Sequence, residues 1–144
     1  MTGVQTCALP IWPAQPRHDY LAAYRDVDLA LDPFPYPGGT TTLDALWMGV
    51  PVLTLAGATP LARQGAALLQ RLGLGDWVAA TVADYVERGV GHGRQLAAVP
   101  MQRADLRQRV LSSELCDGTR VASALEEALL TAWRSRPGAA TQQP

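Results

Sequence analysis

"VDLALDPFPYPGGTTTLDALWMGVPVLTLAG", residues 27–57, decides how the rest of the chain is read. Its first six residues alternate, with Val27, Leu29 and Leu31 on one side, the period-2 pattern of a strand with one buried face. Prolines at 33, 35 and 37 and glycines at 38 and 39 then break regular structure and make a shaped loop. A helix begins among Thr40, Thr41 and Thr42, sets Leu43, Leu46 and Trp47 on one side, and meets a stop at Gly49. "VPVLTLAG" is short and almost wholly apolar, as a strand covered by helices on both faces is expected to be. Strand, loop, helix and strand in that order predict an α/β layer with a parallel sheet.

Outward from this stretch the rhythm continues. Residues 18–25, "HDYLAAYR", place Tyr20, Leu21 and Tyr24 at helical spacing. Residues 58–74 predict a helix with Pro60 near its first turn, Leu61, Leu68, Leu69 and Leu72 as its apolar side, and Gly73 at its end. "DWVAAT" reads as a short third strand. Helical patterns follow near 82–97 and 102–112, broken around Pro100. The last helix runs from about Thr119 to Ser135, with Asp117 or Thr119 as its cap and Leu125, Leu129, Ala132 and Trp133 as its apolar stripe. The four tryptophans are expected as core anchors. Residues 1–11, "MTGVQTCALPI", lack a period, resemble a translated sequencing adapter, and are set aside as a disordered artefact. Residues 136–144 read as a disordered tail. The strand count is low for a complete doubly wound domain, so a partial Rossmann-like sheet with flanking helices and a C-terminal helical segment is expected.

The totals narrow the function. A chain of 144 residues, 48% hydrophobic and 17% charged, is globular. A net charge of −1 argues against a nucleic-acid or anionic-membrane partner. There is no Lys, which removes Schiff-base chemistry and any lysine contact to phosphate. Cys7 and Cys116 match no metal or redox spacing, and a reduced, cytoplasmic setting is expected. No apolar run is long enough to span a bilayer, and no signal-peptide pattern opens the chain.

Ligands of parallel α/β sheets bind beyond the carboxyl ends of the strands, where the Pro37–Thr42 loop falls. Glycine lets backbone approach a ligand closely. The first turn of the next helix offers unpaired N–H groups and partial positive charge, which suit a phosphate or diphosphate. Threonine hydroxyls add donors there. Asp44, one turn on, is placed to accept from ribose hydroxyls. Each piece also has a plainer reading: a threonine as helix cap, a Gly-Gly turn, an Asp as dipole partner. The loop is neither a Walker loop nor a GxGxxG turn.

The string "DLALDPFPYPGGTTTLDALWMGVPVLTLAG" closely resembles the C-terminal catalytic region of the SPINDLY-like, tetratricopeptide-containing O-linked N-acetylglucosamine transferases. "RQGAALLQRLGL" and "LRQRVLSSELCDGTRVASALEEALLTAW" extend the resemblance over about residues 17–135. It implies that residues 12–135 are the C-terminal portion of a GT-B nucleotide-sugar-binding domain, one of two Rossmann-like halves. It also implies UDP-N-acetylglucosamine as donor, protein Ser/Thr hydroxyls as acceptors held by the other half, and no metal or cofactor. Position by position, Gly39, Thr40 and Thr41 match residues that hold the diphosphate, Thr42 adjoins them, and Asp44 matches the ribose-binding carboxylate. Tyr20 falls where some members place a histidine near the uridine, with His18 competing if the alignment slips by two. No residue of this chain matches a catalytic one, so the chain alone is expected to be inactive. Pro37 stands for the usual Asn, Pro33 for Thr, and Gly39 for the His of some members, while the family's diphosphate-binding Lys has no counterpart here. Another nucleotide-sugar GT-B transferase, or a silent binding protein or scaffold of the same fold, are the alternatives. Arg63 reads as a surface residue with a nucleotide contact as the alternative, His92 as a solvated helix-end residue, and Cys116 as a packing residue.

Overall fold

The computed structural model describes residues 13–99 and 101–136. The segment read as an artefact, residues 137–144 of the tail, Trp12 and Pro100 lie outside the described residues. Helix α1 (Arg17–Ala23) leads through a 3-10 turn at Tyr24–Asp26 to strand β1 (Ala30–Leu31). Then come α2 (Thr40–Trp47), β2 (Val52–Leu55), α3 (Gln64–Arg71) and β3 (Val78–Ala79). Three helices close the chain: α4 (Val82–Ala98), α5 (Arg103–Leu111) and α6 (Gly118–Arg134).

The strands are parallel in the order β1-β2-β3. Ala30 pairs with Val52 and Leu31 with Leu53, while Thr54 pairs with Val78 and Leu55 with Ala79. The α/β class with a parallel sheet and flanking helices is therefore as expected. Strand β2, buried from Val52 to Thr54, lies at the centre, with Val52 and Leu53 in one core with Leu46, Val50, Leu69, Trp77, Leu106 and Val110. The glycine stops are also as read: Gly49 and Gly73 end α2 and α3 with φ of 76° and 68°, a left-handed turn that a side chain disfavours. At Gly49 the space is closed as well, since an added Cβ would stand 2.6 Å from the Arg103 carbonyl oxygen.

Four expectations are corrected. The strand read over Val27–Asp32 forms a ladder only at Ala30–Leu31, and Leu31 is exposed while Asp32 is buried. The backbone just before β1 is held by a side chain instead: the Arg103 guanidinium donates to the carbonyls of Tyr24, Arg25 and Val27 at 2.7, 3.2 and 2.8 Å. The third helix starts late, at Gln64, after a 3-10 turn over Leu61–Arg63, and Leu61 is exposed. The α6 stripe forms, capped by Asp117 accepting from the Arg120 N–H at 3.0 Å, but nothing among the described residues covers it. Trp133 is consequently 59% exposed rather than a core anchor; Trp77 is buried, and Trp47 is partly buried with the Arg107 guanidinium above its ring.

Candidate functional site

The loop between β1 and α2 lies at the carboxyl end of the sheet. Gly38 donates its N–H to Asp32 Oδ1 at 2.7 Å. A Cβ at Gly38 would collide with Thr41 Oγ1 and stand 2.8 Å from Thr42 Oγ1, so only glycine fits beneath the two hydroxyls. Gly39 directly precedes α2, and Leu43 N–H bonding to the Gly39 carbonyl at 3.1 Å is the helix's first bond. The N–H groups before it, through Thr42, are those a helix leaves without an internal partner. The side chain of Gln64, at the start of α3, lies over Gly39.

The threonines divide. Thr40 and Thr41 are exposed. Thr42 is 3% exposed, and its hydroxyl points inward to Asp32 Oδ1 at 3.4 Å. Asp44, one turn further, is 8% exposed, and Arg17 grips it with two bonds, Nη1 to Oδ2 at 2.9 Å and Nη2 to Oδ1 at 2.7 Å. That bidentate pair raises the Arg17 pKa above its ordinary value, chiefly through the hydrogen bond to Asp44. The same guanidinium lies 5.6 Å from the centre of the Tyr20 ring. Tyr20 meets Tyr24 hydroxyl to hydroxyl at 2.8 Å with the rings edge to face, and the Tyr24 hydroxyl reaches toward the Thr41 carbonyl at 3.5 Å. Burial, and then the bond to Tyr20, push the Tyr24 phenol well above its usual range, so it stays neutral.

The fold thus gathers Tyr20, Asp44 and the Gly39–Thr41 turn around Arg17 and Tyr24. An apolar cavity of about 510 Å³ opens beside them, lined by Gln15, Tyr20, Tyr24 and Val27 among others. The cluster can offer an anion a set of N–H and O–H donors, and a polyol a carboxylate backed by a cation. His18 lies outside it, exposed and paired with Asp19. Arg63 is exposed and donates to the Gly57 carbonyl at 3.3 Å.

Two further expectations are corrected. His92 sits inside α4 and stacks on Trp77 with ring centres 3.9 Å apart, so it is a packing residue and not a solvated helix end. Cys116 is exposed, not packed. Sequence reasoning missed Arg17, Asp32 and Gln64. Only Asp32 carried a signal, as a carboxylate closing the alternating stretch Val27–Asp32 immediately before a Pro/Gly loop.

The family model described as Glycosyl transferase family 41 matches residues 3–125. The chain belongs to glycosyl transferase family 41. Family 41 relatives include a barley (Hordeum vulgare) protein described as a probable UDP-N-acetylglucosamine–peptide N-acetylglucosaminyltransferase SPINDLY. It is 39% identical over 116 residues, which are 81% of this chain and 12% of that one. The Arabidopsis thaliana protein of the same description is 38% identical over 117 residues, 81% of this chain and 13% of that one. A UDP-glucose:protein N-beta-glucosyltransferase of Actinobacillus pleuropneumoniae is 31% identical over 102 residues, covering 70% of this chain and 16% of that one. Among solved structures, a mutant O-GlcNAc transferase of Thermobaculum terrenum superposes with a TM-score of 0.75 at 42% identity, over 83% of this chain and 23% of that one. The family 41 chain described here therefore spans about one eighth of the plant relatives' length, and it has the fold of a region of a GT-B O-GlcNAc transferase.

Proposed function

We propose that the chain forms the donor-binding part of a protein O-GlcNAc transferase and grips the UDP moiety of UDP-N-acetylglucosamine while the sugar passes to a Ser or Thr hydroxyl. One observation carries the reading: Gly39, Thr40 and Thr41 open α2 at the carboxyl end of the sheet, and Asp44 stands one turn on beneath Arg17 and Tyr20. The first-turn N–H groups and the Thr40 and Thr41 hydroxyls face the diphosphate. Asp44 keeps lone pairs beyond those Arg17 occupies and accepts from the ribose hydroxyls. Tyr20 and the cavity beside it take the base. Thr42 serves this arrangement from inside, through its bond to Asp32.

In the transfer, the acceptor oxygen bonds to the anomeric carbon as that carbon's bond to the β-phosphate oxygen breaks, and the acceptor proton goes to a base that no residue of this chain supplies. Negative charge grows on the departing phosphate, where fixed N–H dipoles stabilise it. Because the donors complement the anion directly, the grip needs no metal, and a chelator leaves UDP affinity unchanged. Acceptor peptides bind outside this chain. The sparse use of cysteine fits a cytoplasmic setting. A second reading keeps the UDP site and changes the sugar and acceptor, and the Actinobacillus relative, described as acting with UDP-glucose, favours it. Competition between UDP-N-acetylglucosamine and UDP-glucose separates the two.

The test is a titration of the 144-residue chain with UDP and with inorganic pyrophosphate. Thr41→Val keeps shape and removes a donor worth roughly 1.5–3 kcal/mol, so it weakens both ligands about tenfold or more. Asp44→Ala weakens UDP but barely changes pyrophosphate, which has no ribose. A Thr41→Val chain that binds UDP like wild type reduces the threonine run to a helix start and removes this function.

A further inference from the structure

Asp32 directly follows β1, and the function proposed above gives it no contact with ligand. Its carboxylate is 4% exposed and lies beneath the Gly38–Thr42 turn. Oδ1 accepts from the Gly38 N–H at 2.7 Å and the Thr42 hydroxyl at 3.4 Å, and Oδ2 accepts from the Thr54 hydroxyl at 2.8 Å. None of the ion pairs among the described residues involves it. Gly65, in the first turn of α3, leaves room for it, since a Cβ there would collide with Oδ2. The residue is also pinned by its backbone: its N–H donates to the Leu53 carbonyl and its carbonyl accepts from the Tyr85 hydroxyl, each at 2.9 Å.

Burying a carboxyl group is costly unless hydrogen bonds offset it, and three donors surround this one. A carboxylate has a property that no neutral side chain shares: it only accepts. Every donor around it must aim a proton at it, whereas an amide or hydroxyl in its place could give a proton of its own and let its neighbours turn. We propose that Asp32 is the positioning residue of the donor loop, fixing the Gly38 N–H and the Thr42 hydroxyl inward so that Gly39, Thr40 and Thr41 are left as the outward-facing donors. Thr54 extends the chain of command one step deeper. It is 1% exposed on β2, and it reaches the loop through Asp32. The proposal rests on the reading of this loop as a diphosphate site.

Asp32→Asn and Thr54→Val test it in the 144-residue chain. Asn keeps the shape, with its oxygen toward Gly38 and its amide toward a Thr54 hydroxyl that can turn to accept. The expected results are a Gly38 amide proton resonance moved upfield in both variants, UDP and pyrophosphate weakened about tenfold in Asp32→Asn and about threefold in Thr54→Val, and uridine affinity unchanged. A merely structural role would lower uridine and UDP affinity together. Should Asp32→Asn fail to fold, Thr54→Val, buried and out of a ligand's reach, decides the matter. Folded variants that bind UDP as wild type does overturn the role of Asp32 and leave the diphosphate site standing. A wild-type chain that binds neither UDP nor pyrophosphate overturns the site, and this inference with it.

Discussion

Gly38 and Gly39 are neighbours, yet a methyl group added to each meets different things. At Gly38 it collides with Thr41 Oγ1 and stands 3.1 Å from Asp32 Oδ1, in a turn that cannot give. At Gly39 it meets Gln64 Nε2 at 2.7 Å, the far end of an exposed and flexible side chain. Gly38→Ala is therefore expected to cost about 1–3 kcal/mol by overpacking. Gly39→Ala, at a φ of −113° that any residue adopts, is expected to stay within about 0.5 kcal/mol of wild type. Urea unfolding of the two variants checks the order, and a larger loss at Gly39 would contradict it. The same contrast explains what was legible. Gly39, Thr40, Thr41 and Asp44 announce themselves within six positions, because the start of a helix is a local event. Arg17 reaches Asp44 across 27 positions, and Gln64 reaches Gly39 from another helix; no local pattern carries such meetings.

At the scale of elements, α4 shows how much a short motif settles. Thr81 accepts from the Asp84 N–H at 3.1 Å, and Asp84 accepts from the Ala80 N–H at 2.9 Å and from Arg88 Nε at 2.6 Å. The Ala80 bond first and Arg88 second hold the Asp84 carboxyl below its ordinary value of 3.8. A carboxyl lowered in the folded state adds stability above its ordinary value and loses it as pH falls through the lowered one. Wild type is therefore expected to be more stable than Asp84→Asn above pH 3.8, with the gap closing as pH falls below that. Thermal melts of both chains from pH 6 down to pH 2 check it, and a constant gap would exclude the cap as its source. Where an element's limits depend on distant groups, the sequence misleads. The alternation over Val27–Asp32 is sound and places Val27 and Leu29 against the core, but only Ala30 and Leu31 find a ladder, because Arg103 holds the carbonyls before them.

At the scale of the molecule, the class, the parallel sheet and the family were readable because long apolar periods and a long shared string both point to one architecture. The exposure of α6 was not, since an amphipathic stripe predicts a covered face without naming its cover. The solved transferase is matched over 23% of its length, and positioning an acceptor against a donor accounts for much of a transferase's rate. We expect the 144-residue chain to bind UDP weakly and to show no turnover with UDP-N-acetylglucosamine and a Ser/Thr peptide. Clear release of UDP above background would refute this.

Helix α1 buries none of its residues. It is moored by Arg17 to Asp44 at one end and, just past the other, by the Arg103 clamp on the Tyr24 carbonyl. Such an element opens on its own, at a lower free energy than the sheet. The proposed site is then expected to divide between two tiers of local stability: Gly39, Thr40, Thr41 and Asp44 on the better packed tier, Arg17 and Tyr20 on the less packed one. A nucleotide that touches both must close α1 as it binds, so part of its affinity is spent on ordering, and hydrogen exchange of the α1 amides should slow on adding UDP while that of β2 stays as it was.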